Sequence, residues 1–123
     1  MHNDLVTSFV SRPWLAIGHA LVVPNRHVIR PDNLNDQEVL AIHREADRLA
    51  DKLARIAIGI DRFQKTRTHV PEGAIKRDHL HLHLLPSKPG DWLYDHGVNW
   101  GDEHGWAQPT EAELQEMLDL LRA

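Results

Sequence analysis

No cysteine occurs in the 123 residues, which excludes disulfide pairing and thiolate chemistry and makes the cytoplasm the expected compartment. No apolar run approaches the roughly 18 residues that a membrane span needs. The start, Met1-His2-Asn3-Asp4, has neither the basic stretch nor the apolar segment of a signal peptide. Basic residues are in deficit: 14 Lys and Arg against 18 Asp and Glu leave a formal charge of −4, which argues against an extended nucleic-acid footprint. A local basic pocket for a small phosphate ligand is still compatible with that balance. Repeats, low-complexity tracts and linkers are also missing, so a single domain over residues 1–123 is expected.

What the chain does have is histidine, ten in all. Three of them alternate with leucine in His79-Leu80-His81-Leu82-His83, followed by Leu84-Leu85-Pro86. Side chains on a strand point to alternate faces, so the spacing puts three imidazoles on one face and the leucines in a core. In so histidine-rich a chain the pattern arises by chance in about one sequence in 15, so the triplet alone decides little. Three readings follow from it. Neutral imidazole can attack phosphorus, with neighbours at i−2 and i+2 as donors to phosphate oxygens, which makes the central His81 the nucleophile. Two imidazoles at i and i+2 can instead share a zinc ion with a third ligand such as His69, His96 or His104. The third reading is an exposed strand face with no function.

The remaining pattern is α+β. Leu5–Ser11 and His19–Val23 read as strands, broken by Pro13 and ended by Pro24. Asn35 caps a long helix with Glu38 at the capping-box position. Val39, Ile42, Ala46, Leu49, Leu53 and Ile56 make its apolar stripe, and its end is expected near Arg55. Ile58–Gln64 is a third strand, Lys65–Asp78 a polar loop, and the histidine strand the next element. Residues 86–109 form a long loop carrying Trp92, Trp100 and Trp106, which either pins that loop or covers a nucleotide base. Thr110 and Glu113 cap a closing helix with Leu114, Met117, Leu118 and Leu121 on its apolar face.

His79-Leu-His81-Leu-His83-Leu-Leu-Pro86 resembles the signature of the histidine triad family. Gly18-His19-Ala-Leu-Val-Val-Pro24-Asn-Arg-His27 is similar to that family's glycine-histidine strand. Leu85-Pro86-Ser-Lys-Pro-Gly90-Asp91-Trp92, with Trp106 and the closing helix, looks like the tail of its diadenosine polyphosphate hydrolase branch. The resemblance implies an antiparallel sheet of about five strands with one long helix and a C-terminal helix, paired as a homodimer. It implies hydrolysis or transfer at a nucleotide α-phosphate through a nucleotidyl-histidine on His81. His79 and His83 would then meet phosphate oxygens or the leaving group, His19 would orient the cluster, and Ser11 would bind the ribose. No metal is required for the covalent step, and magnesium would accompany a polyphosphate substrate.

The family's glutamine and hydroxyl positions before the triad carry Ile75 and Lys76 here, and Thr68 stands where an asparagine is usual. Lys76 and Arg77 could replace those groups as fixed cations on phosphate. That substitution keeps two alternatives open: a nucleotide- or phosphate-binding module without efficient turnover, and a protein whose histidines ligate zinc.

Overall fold

The computed structural model describes residues 1–66, 79–98 and 106–123. Four strands, β1 (Val6–Val10), β2 (Ala20–Pro24), β3 (Gly59–Lys65) and β4 (His81–Ser87), form one antiparallel sheet in the order β1-β2-β4-β3. The α+β class is as expected, with four strands among the described residues rather than about five. The helices are α1 (Asp36–Leu53), the short α2 (Trp92–His96) and α3 (Glu111–Arg122).

Both capping boxes form: Asn35 and Glu38 open α1, and Thr110 and Glu113 open α3, each side chain bonding the other's backbone N–H. The buried stripe of α1 is Ile42, Ala46, Leu49 and Leu53, and the helix stops at Leu53, short of Arg55. Val39 is not part of the stripe and is 40% exposed. The inward position of that first turn belongs to Glu38, whose carboxylate receives Arg26 Nη2 at 2.7 Å and Nε at 3.2 Å. This ion pair ties the exit of β2 to the start of α1.

One sheet face packs under α1, with α3 against α1 and β1. Its contributors alternate as the pleat requires: Val6 and Val10, Ala20 and Val22, Leu82 and Leu84, all buried. Burying each such leucine contributes about 2 kcal/mol. Ser8 lies in the same row, fully buried, where its hydroxyl donates to Glu45; Glu45 in turn holds Arg48 at 2.7 Å. Within the long segment after β4, the sequence signal for a loop missed α2, and the isolated bridge Trp14↔Ala107 fastens the far end of that segment to the connection between β1 and β2.

Gly18, just before β2, has φ +94°, and a Cβ there would stand 2.7 Å from Leu53 Cδ2 and 3.2 Å from Pro86 Cγ. Only glycine meets both demands, the left-handed backbone and the absent side chain. No described helix is long and apolar enough to cross a membrane.

Candidate active site

The opposite sheet face carries the histidines. Register across it is Phe9↔Leu21, Leu21↔His83 and Phe63↔His83, with Lys65↔His81 in the next row. His81 and His83 therefore share a face, as the alternation predicts, and their rings meet edge to face at 4.8 Å. Both are buried, each 7% exposed. Beyond them Leu85 joins Leu15, Ala16 and Leu93 in a small apolar cluster against which Phe63 and Trp106 pack.

His19, fully buried at the entry to β2, reaches across to this pair. The backbone N–H of Leu15 donates to its Nδ1 at 3.2 Å. With Nδ1 accepting, the ring proton sits on Nε2, which donates to His83 Nδ1 at 2.8 Å. The proton of His83 is thereby assigned to its own Nε2. One backbone amide thus sets the tautomer of two imidazoles in series. His81 is set separately: its Nδ1–H donates to the carbonyl oxygen of His79 at 2.7 Å. That leaves the lone pair of His81 on Nε2.

Burial alone pushes His19 down to about 3. His83 is lowered to about 2, first by burial and then by the charges of His19, His81 and Lys65. His81 is also lowered, by burial more than the bond to the His79 carbonyl raises it. All three rings are neutral at pH 7, the form that can attack phosphorus and accept a bond. The linkage has a definite sign. Below pH 6.5 the unfolded chain takes up protons that folded His19 and His83 refuse, so stability falls as pH drops from 6.5 toward about 3. Each group contributes up to about 1.4 kcal/mol per pH unit in that window. Urea unfolding at pH 7.5 and pH 5 measures this, with a lower midpoint expected at pH 5; equal midpoints would show that the pair titrates normally.

His79 stands apart from the other two. It precedes β4, its backbone N–H bonds Thr66 O, and its ring Nε2 lies 3.1 Å from Pro24 O. Its ring lies 5.3 Å from that of exposed His27. The chain leaves the ladder here because Leu80 N–H bonds Val28 O instead of continuing the pairing with β2. So the histidines brought into contact are His19, His81 and His83, with His79 contributing its carbonyl oxygen.

Ser11 donates its hydroxyl to Pro13 O at 2.7 Å, and its N–H bonds His19 O, which sets it beside the strand that carries His19. Trp106, half-buried, lies 5.7 Å from the His19 ring, whereas Trp92 stacks on His96 at 4.6 Å. Trp106 therefore stands beside the His19 ring and Trp92 belongs to α2. Thr68, His69, Ile75, Lys76, Arg77, Trp100 and His104 lie outside the described residues. Among the described residues no group of three His, Asp or Glu side chains is arranged to hold a metal ion, and His96 Nδ1 is engaged with Trp92 O. Two site features escaped the sequence reading: the Leu15 amide, which carries no side-chain signal, and Lys65, placed by strand register.

A profile of the HIT domain family matches residues 1–90. Among solved structures, the chain is similar to a HIT-like protein involved in cell-cycle regulation from Bartonella henselae, with 19% identity and a TM-score of 0.70 over 99% of this chain and 82% of that one. It is similar to a zinc-bound histidine triad family protein from Mycobacterium smegmatis, with 20% identity and a TM-score of 0.69 over 99% and 81%. A histidine triad nucleotide-binding protein from Sulfolobus tokodaii shares 15% identity with a TM-score of 0.67 over 99% and 78%.

Proposed function

The chain belongs to the HIT domain family, and on that premise we propose that it is a nucleotide hydrolase or nucleotidyl transferase working through a covalent nucleotidyl-histidine on His81. One observation carries the reading: His81 Nδ1–H is fixed on a carbonyl 2.7 Å away, so its Nε2 lone pair faces the site. Nε2 attacks the α-phosphorus as the bond to the leaving group breaks. Water then attacks the same phosphorus, the N–P bond breaks, and the nucleoside monophosphate leaves. His83, its proton directed to Nε2 by His19, donates to a phosphate oxygen or to the leaving group.

The substrate proposed is an adenosine polyphosphate or related nucleotide, on the resemblance of the Gly90-Asp91-Trp92 tail to the diadenosine polyphosphate hydrolases. Ser11 is assigned to the ribose, and Thr68, Lys76 and Arg77 to the phosphates. A cytoplasmic homodimer, one domain per chain, is the form proposed. The mycobacterial relative is zinc-bound, whereas the covalent step on His81 requires no metal.

Diadenosine polyphosphate or adenosine 5′-phosphoramidate, incubated with the protein, tests the reading. The expected result is release of AMP through an acid-labile adenylyl adduct on the protein. Turnover at the level of the blank, with AMP affinity retained in calorimetry, would favour the binding-module reading that Ile75 and Lys76 raise.

A further inference from the structure

Lys65 enters the site through register. It pairs directly with His81 across the β3–β4 ladder, as Phe63 does with His83. Directly opposed residues of an antiparallel pair project to the same face, with Cβ atoms about 4.5–5.5 Å apart. Lys65 therefore stands on the imidazole face at the flank of the proposed nucleophile. Along the strands of that face the other described side chains are neutral or, in Asp61, acidic, and Lys65 is the one lysine or arginine among them. Lys65 is half-buried, and burial lowers its pKa. Its charge reaches both His81 and His83.

The chemistry asks for such a group. His19, His81 and His83 are neutral at pH 7 and can offer hydrogen bonds but no charge. A phosphate under attack gathers negative charge on its equatorial oxygens, and a cation beside them stabilises that state. We propose that Lys65 holds a non-bridging oxygen of the phosphate that His81 attacks, and that it makes the site select anionic nucleotides over uncharged nucleosides. The proposal rests on the nucleotide reading above and adds a phosphate-contacting residue to it. It adds a cation from β3 to those assigned to Lys76 and Arg77, in a site whose usual glutamine and hydroxyl positions carry Ile75 and Lys76.

Calorimetric titration of AMP and of adenosine into wild type, Lys65→Met and Lys65→Arg tests it. Wild type should bind AMP at least about 10-fold tighter than adenosine, the scale of one charge-assisted contact. Lys65→Met should cut that preference by about 10-fold with adenosine affinity unchanged, and Lys65→Arg should restore most of it. An AMP preference undiminished in Lys65→Met overturns the role of Lys65 and leaves the His81 reading standing. Equal weakening of both ligands in Lys65→Met shows a structural role and also overturns it. A wild type with no preference for AMP overturns the Lys65 proposal and the nucleotide reading together.

Discussion

His81→Asn should lower turnover by about 10⁴-fold or more while leaving AMP affinity within about 3-fold of wild type. The size follows from what is removed. The covalent route divides one difficult displacement into two, and both pass through His81 Nε2. Neither neighbour can take over that role. His83 has its Nδ1 occupied by His19 and its proton on Nε2, and His79 sits outside the strand with Nε2 on the Pro24 carbonyl. Binding survives because the ribose and phosphate contacts assigned to Ser11 and Lys65 are untouched. Single-turnover release of AMP with calorimetry measures both arms, and a variant that hydrolyses at the wild-type rate removes His81 from the mechanism.

His19→Ala should affect both folding and chemistry. The substitution strands the Leu15 N–H and His83 Nδ1 in a buried setting and opens a cavity beside the His83 and Trp106 rings. Each orphaned group costs about 1–3 kcal/mol, so a loss of about 3–5 kcal/mol is expected in urea unfolding. Turnover should also fall by about 10²–10³-fold, because His83 is then free to place its proton on either nitrogen. A variant that loses stability with kcat unchanged would reduce His19 to a packing role. One with both quantities unchanged would refute the relay.

Much of this is legible in the amino-acid sequence. The alternation in His79–His83 put Leu80, Leu82 and Leu84 in the core and His81 and His83 together on the other face. Asn35, Glu38, Thr110 and Glu113 marked two helix starts, because capping is local chemistry between residues three apart. What stayed hidden depends on partners distant in sequence. His79 leaves the ladder because Val28 takes the Leu80 amide, a contact no strand pattern encodes. Placing the third strand at Ile58–Gln64 stopped one residue short of Lys65, and only the pairing with β4 brings that lysine opposite His81. Glu38 is legible as a capping-box residue, but its burial with Arg26 is not, because Arg26 lies 12 residues away. The burial of Ser8 is equally hidden, since its hydroxyl is satisfied by Glu45, 37 residues on.

The contact at Gly18 has a mechanical consequence. The backbone one residue before His19 passes so near Leu53 Cδ2, at the last turn of α1, that even a methyl group would not fit between them. The helix end therefore works as a stop that fixes how deep the imidazole relay sits. Unwinding that final turn would release the stop and let His19 drift from His83, so the long helix and the proton arrangement of the site keep their alignment as one rigid piece.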